Sequence, residues 1–231
     1  MRKKFYCGYD ESYYKERIII QKKHMIKFVI FLKGKNVRWL DVGCGLGYLI
    51  KEAVEEGIDA YGLELSRYAI ENSIMKDRVL QGSITNIPYK SNTFDVVSAI
   101  DCIEHVNKRD AGTSFLELNR VLKPGGICIL TTPNPLHIGN WMYDLTHVNV
   151  REPEYWKRLL QKCGFKVKLP YLPSFLKYYF YWNLNVALPI ADSLAFKLEE
   201  PLRRLLGHVM SSKGRLYIFA EKIDEVKNSE C

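Results

Sequence analysis

A chain of 231 residues, 47% hydrophobic and 26% charged, with 15 glycines and 9 prolines, can bury a sizeable core, which excludes collagen-like, disordered and mini-protein classes. Thirty-four Lys and Arg against 26 Asp and Glu give a net charge of +8, spread along the chain, which permits a polyanionic partner without specifying one. The cysteines (Cys7, Cys44, Cys102, Cys128, Cys163 and Cys231) show no CxxC pair and no zinc-site spacing, so free thiols in a reducing compartment are expected, with no disulfide framework. MRKKF is followed by the polar YCGYDESYYKER where a signal peptide needs an apolar stretch, and a cytoplasmic location is the expectation.

In chain order, residues 18 to 32 predict a helix that Gly34 stops. Short apolar runs then alternate with amphipathic segments: VRWLDV (37 to 42), YLIKEAVEEG (48 to 57), IDAYGLE (58 to 64), SRYAIENSIM (66 to 75), RVLQG (78 to 82), FDVVSAI (94 to 100) and GICILTT (126 to 132). That rhythm predicts a parallel sheet with helical crossovers. Gly57 closes the first of these helices, Ser66 caps the second, and KPGG (123 to 126) makes a turn before the next strand. Glu152 and Pro153 suit the first turn of a helix through EYWKRLLQKC, which Gly164 ends before FKVKL. RLYIFAEK (215 to 222) is the last predicted strand, and the chain end beyond it is expected to fray.

The strongest chemical signal is LDVGCGLG (40 to 47), where a strand ending at Asp41 passes through Gly43, Cys44, Gly45 and Gly47 into a helix. Glycines let backbone approach a ligand closely, and the helix start presents unpaired amides. Tyr48 stands where a dinucleotide fingerprint needs its third glycine, and Asp41 ahead of the loop repels an anion but suits a cation. Glu64 closes the second strand 23 residues after Asp41, the place from which a carboxylate accepts hydrogen bonds from both ribose hydroxyls. A nucleoside ligand is implied.

With these features, VLQGSITNIPYKSNTFDVVSAIDCIEHV (79 to 106) and RVLKPGGICILTTPN (120 to 134), the chain from Val37 to Phe165 resembles the class I S-adenosylmethionine-dependent methyltransferases, and within them the type 11 group. The resemblance implies an α/β, Rossmann-like, seven-stranded, mostly parallel sheet with helices on both faces and an insert before the last strand. It implies S-adenosylmethionine as cofactor, with Gly43, Gly45 and Gly47 facing its methionine part and Glu64, next to Leu65, holding its ribose. The family's adenine-contacting Asp is replaced by Ser83, so the backbone at Ile84 is expected to share adenine recognition. Asp101 matches a position lining the methionine end. Arg17 is a candidate for the cofactor carboxylate, beside the reading of an exposed surface arginine. One domain over residues 1–231 is expected, with an N-terminal helical segment at 1–34 and the insert at about 170–213.

Methyl transfer from a sulfonium needs alignment and exclusion of water, and a hydroxyl acceptor also benefits from a group that removes its proton. His147 is the candidate catalytic residue, because related methyltransferases show an Asp-x-x-His pattern ahead of a helix ending in Gly-Phe; its partner is Asp144, and the competing reading is a histidine that orders its loop. His137 also follows the fifth strand. Asp101, Glu104 and His105 resemble a Glu-x-x-Glu-His cluster with which some quinone-pathway O-methyltransferases hold a divalent metal, the spacing placing all three on one side of a helical turn. Glu-His followed by an apolar residue is common throughout the type 11 group, so local structure and no metal is the expectation.

YLPSFLKYYFYW (171 to 182) holds seven aromatics in twelve residues, and the uncharged stretch 178 to 191 is too short and polar to span a bilayer. DSLAFKLEEPLRRLLG (192 to 207) predicts a helix kinked at Pro201. A lid over the acceptor, a peripheral membrane contact through Lys177, Arg203 and Arg204, and a dimer contact or aromatic core are the open readings of this insert. The leading function is methyl transfer to a small-molecule or lipid-like substrate, at oxygen, with nitrogen and carbon as the alternative accepting atoms. The alternatives are an RNA methyltransferase, less favoured because no basic run with interleaved aromatics accompanies the charge, and a non-catalytic cofactor-binding accessory protein. An NAD-dependent reductase ranks last.

Overall fold

The computed structural model describes residues 14, 23–135, 144–168, 194, 198 and 215–223. The predicted insert, apart from two positions, the chain end after 223, and Arg17, His137, Cys7 and Cys231 lie outside the described residues. Seven strands form one sheet: β1 (Arg38–Val42), β2 (Asp59–Glu64), β3 (Val79–Gln81), β4 (Phe94–Ile100), β5 (Leu122–Pro133), β6 (Phe165–Lys168) and β7 (Arg215–Lys222). Five described helices accompany them: α1 (Lys23–Lys33), α2 (Tyr48–Glu55), α3 (Arg67–Glu71), α4 (Ala111–Val121) and α5 (Pro153–Lys162). Short 3-10 turns occur at Lys76–Arg78 and Ile103–His105. The predicted elements are found within a few residues, except that β5 starts at Leu122 and takes in the KPGG turn, and α4 adds a helix that no sequence signal singled out.

The strand order is β3-β2-β1-β4-β5-β7-β6, parallel in every described pairing except those of β7. Period-two alternation divides the core between the faces. Leu40 and Val42 of β1 join Val97, Ala99, Phe115, Leu118, Trp156 and Phe165, so α4 and α5 cover that face. Trp39 joins Val96, Ile100, Leu49, Ile50, Ala53, Ile26 and Val29 on the other, covered by α1 and α2. A register shift between Phe94 and Val96 accompanies the placing of Phe94 with Val97, where strict alternation would group it with Val96 and Ile100 on the other face.

Local chemistry sets the ends. Ser66 Oγ accepts from the Ala69 amide at 3.3 Å and starts α3. Pro153 begins α5 after the extended Glu152, and Gly164, at φ +82°, ends the turn that leads into β6. Strand order reverses at β1 and β4, and in such sheets a crevice opens beyond the carboxyl ends of those strands. The glycine loop, Glu64 and Asp101 all follow or close strands at that end.

Candidate active site

The loop after β1 is shaped by backbone. Gly43, Gly45 and Gly47 have φ of +73°, +58° and +85°, which side-chain-bearing residues resist. At Gly43 there is also no room: an added Cβ would meet Cys102 Sγ at 2.8 Å. The Gly43 and Cys44 amides donate to Leu63 O at 2.8 and 3.2 Å, tying the loop to the end of β2. Gly47 leads directly into α2, whose first amides face the loop.

Glu64 holds that loop from the side. Its Oε2 accepts from the Gly45 amide, and its Oε1 accepts from the Leu65 and Ser66 amides, each at 2.8 Å. A carboxylate offers about four lone-pair directions, so three amides leave capacity for a sugar hydroxyl. Glu64 is buried, whereas Leu65 beside it is 64% exposed and offers an apolar surface. Asp41 is buried under the loop; Trp39 Nε1 donates to Ser98 Oγ at 2.8 Å, and Ser98 donates to Asp41 Oδ1 at 2.6 Å. Tyr14 approaches Gly45 and stacks on Tyr68, with ring centroids 5.9 Å apart. Ser83 Oγ lies 2.8 Å from Thr85 Oγ1 and also accepts from the Thr85 amide, while Ile84 packs in the core. The Ser83 hydroxyl thus has local partners in Thr85.

The residues after β4 form a second group. Asp101 has φ +51° and is fixed on three sides: its amide donates to Thr131, Thr131 Oγ1 donates to its Oδ1 at 2.7 Å, and Arg215 pairs with its Oδ2. The expected grouping of Asp101, Glu104 and His105 on one helical turn does not form. Only Ile103–His105 make a turn, a 3-10 one, and Asp101 lies before it in a left-handed conformation with its carboxylate committed to Thr131 and Arg215.

His147 instead approaches Glu104 and His105 from the segment ahead of α5. Its Nε2 lies 3.5 Å from Asp144 Oδ2 and 4.0 Å from Glu104 Oε1, and its ring centroid lies 4.8 Å from that of His105. Asp144 Oδ1 accepts from the Thr146 amide at 3.0 Å and from the Thr146 hydroxyl, and the Asn149 amide donates to Glu104 O at 2.9 Å, which docks this segment on the β4 end. Glu104 is fully buried; burial first, and the Asp101 charge second, push its carboxyl well above the usual range. Cys102 joins the two groups: desolvation pushes its thiol up, and Glu104, Glu64, Asp41 and Asp101 act in the same direction.

Sequence reasoning did not assign Arg215 to the site. Because β7 runs antiparallel to β5, with Arg215 opposite Pro133, the first residue of β7 arrives at the carboxyl end of the sheet. The signal available was a basic residue opening the last predicted strand.

The donor set fits a sulfonium nucleoside better than a pyrophosphate. Two buried carboxylates, Asp41 and Glu64, flank the loop, and the space at Gly43 admits backbone but no side chain. A family model described as a methyltransferase domain matches residues 13–169. An uncharacterized protein of Methanocaldococcus jannaschii is 30% identical over 213 residues, covering 90% of this chain and 85% of that protein. A sterol 24-C-methyltransferase of Gibberella zeae is 33% identical over 130 residues, 52% of this chain, which spans about a third (33%) of that enzyme's length. Among solved structures, a SAM-dependent methyltransferase from Archaeoglobus fulgidus shares the fold with a TM-score of 0.63 and 18% identity, over 92% of this chain and 100% of that one. With its glycine loop and seven-stranded sheet in place, the chain belongs to the class I S-adenosylmethionine-dependent methyltransferases, and S-adenosylmethionine is its cofactor.

Proposed function

We propose that the protein methylates an oxygen of a small-molecule or lipid-like acceptor. The observation that carries this reading is the buried Asp144–His147 pair beside Glu104, at the β4 end of the crevice and across Cys102 from the cofactor loop. Leu145 and Val148, 62% and 53% exposed, alternate with that pair and offer an apolar acceptor its contact surface. The sterol enzyme among the relatives supports an apolar acceptor class.

When bound, the cofactor supplies an electrophilic methyl on a positively charged sulfur. The chain's own residues do the rest. Glu64 and the amides after β1 would hold the nucleoside, and the buried setting would keep water from competing. His147, held by Asp144, assists loss of the acceptor proton as the new bond forms. The bound cofactor would supply a methyl whose C–S bond electrons stay on sulfur, while the acceptor oxygen's lone pair would form the O–C bond.

The test supplies the full chain with methyl-labelled cofactor and separate small-molecule, lipid and RNA fractions. Label is expected in an ether or ester of the first two. His147→Ala is expected to slow turnover by about 10²- to 10⁴-fold while cofactor Kd stays within about twofold. Glu64→Ala is expected to weaken cofactor binding by about 10- to 100-fold. Label found only in RNA, or cofactor binding with no acceptor in any fraction, overturns the reading.

A further inference from the structure

Glu104, His105 and His147 place one ligand atom each within 4.8 Å of one another. The pattern differs from the i, i+3, i+4 set suggested by sequence, since Asp101 is committed elsewhere and His147 takes its place from a distant segment.

The orientation of His105 is readable from its neighbours. Its Nδ1 faces Thr146 O at 3.1 Å, and a carbonyl oxygen only accepts, so Nδ1 carries the proton and the neutral ring's lone pair is on Nε2. The Thr146 hydroxyl, 2.9 Å from the same nitrogen, gives its own proton to Asp144. An imidazole donating one N–H to a carbonyl while a carboxylate backs the neighbouring hydroxyl is the outer-shell arrangement that aims the other nitrogen at a cation.

The separations point the same way. His147 Nε2 lies 3.5 Å from Asp144 Oδ2 and 4.0 Å from Glu104 Oε1, beyond good hydrogen bonds. Two ligands each roughly 2.0–2.2 Å from one ion stand about 3 to 4 Å apart, a range that the 4.0 Å between His147 and Glu104, the one of these two distances that joins proposed ligands, just meets. Glu104 is fully buried, and neither of its carboxylate oxygens meets a partner at hydrogen-bond geometry among the described residues, although the Thr132 hydroxyl and the Arg215 charge favour its ionised form. A buried carboxylate beside two imidazoles is stabilised by a positive centre among them.

We propose that Glu104, His105 and His147 bind a divalent first-row transition-metal ion such as Zn²⁺ or Mn²⁺, with Asp144 and Thr146 positioning the imidazoles. Two imidazoles and one carboxylate suit such an ion better than Mg²⁺ or Ca²⁺ and leave a coordination position open. The inference rests on the reading that an acceptor oxygen is activated at this end of the crevice, and it refines how. The ion takes the acceptor hydroxyl into the open position and lowers its pKa, and the O–H bond breaks with the proton passing to Asp144 or solvent. The oxygen lone pair would then form the bond to the methyl carbon as the C–S bond breaks and its electron pair stays on the cofactor sulfur. No electron is gained or lost by the metal, and His147 assists as a ligand.

The experiment uses the tag-free full chain, stripped with chelator and dialysed. Titration with ZnCl₂ followed by calorimetry is expected to show one equivalent bound, and CoCl₂ is expected to give visible d–d absorption of a low-coordinate site. Glu104→Gln and His105→Ala are each expected to weaken binding by at least about tenfold. Thr146→Val, which leaves all three ligands in place, is expected to weaken it less. Because Glu104→Gln tests a buried position, Zn²⁺ is also added to the wild-type chain during thermal unfolding, where a rise in Tm is expected. Absence of stoichiometric binding by the wild type, or binding that no variant weakens, overturns the proposal. Cofactor affinity and methylation are measured on the same samples: metal-free protein with full His147-dependent turnover removes the ion and keeps the methyltransferase reading. One equivalent bound tightly with no methylation keeps the ion and removes that reading.

Discussion

The β1–β2 end of the crevice and the β4–β5 end are built from different materials. At the first, backbone makes the surface: three glycines at positive φ, amides of Gly45, Leu65 and Ser66 on one carboxylate, and a space at Gly43 closed to any Cβ. At the second, side chains from four separate stretches meet: Asp101 to His105, Thr131, Asp144 to Asn149, and Arg215. A surface made of amides and hydrogens suits a ligand that stays the same, and a surface made of side chains suits one that differs between relatives.

That contrast is open to breakage. The largest effect is expected from Gly43→Val, which puts a β-branched residue at φ +73° and drives a methyl toward Cys102 Sγ. Strain and overpacking together reach about 4 kcal/mol or more, on the order of a 1,000-fold loss of cofactor affinity by equilibrium titration. Unchanged affinity would show that the loop does not need its backbone shape. Next comes Ser98→Ala, which removes the hydroxyl between Trp39 and Asp41 in a fully buried setting. Chemical denaturation should read about 2–4 kcal/mol lost; a loss below about 0.5 kcal/mol contradicts the relay.

Asp144→Ala addresses the other end. It removes the acceptor for Thr146 and the neighbour of His147, and turnover should fall by about 10- to 100-fold with cofactor Kd nearly constant. An equal change in Kd would mean the two ends are not separable. The smallest effect concerns the brace under the segment after β3, where Arg120 binds Glu117, Ile87 O and Tyr89 O. The Arg120 hydrogen bond holds the Glu117 carboxyl below the usual glutamate range. Its contribution is therefore complete above the unfolded pKa and disappears as pH falls through the lowered value. Denaturant midpoints of wild type and Glu117→Gln should differ by under about 1 kcal/mol near pH 7 and converge below about pH 4. Divergence on acidification would reverse the sign.

The same contrast explains what could be read from sequence. LDVGCGLG and Glu64 are legible because backbone conformation and strand-end spacing are local properties, and the elements around them lie where apolar periodicity and the Ser66, Pro153 and Gly164 signals put them. The shared face expected for Asp101, Glu104 and His105 does not form, because a helical-turn spacing says nothing of the positive φ at Asp101 or of partners 30 and more residues away. His147 and Asp144 were legible as a pair, but their meeting with Glu104 and His105 is a tertiary fact. Arg215 shows the limit clearly, since only strand direction brings it to the site.

Strand direction has one more result. β6 runs with the parallel strands and β7 against them, so the chain re-enters the sheet at Arg215, level with Pro133 at the rim of the crevice, whereas Lys168 pairs with Phe219 and lies level with Ile129, deeper in the sheet. The reversal of one strand therefore delivers a cation from near the end of the sequence to a carboxylate, Asp101, that closes off the fourth strand. Turning that strand around would leave the sheet its hydrogen bonds and take away the counter-charge.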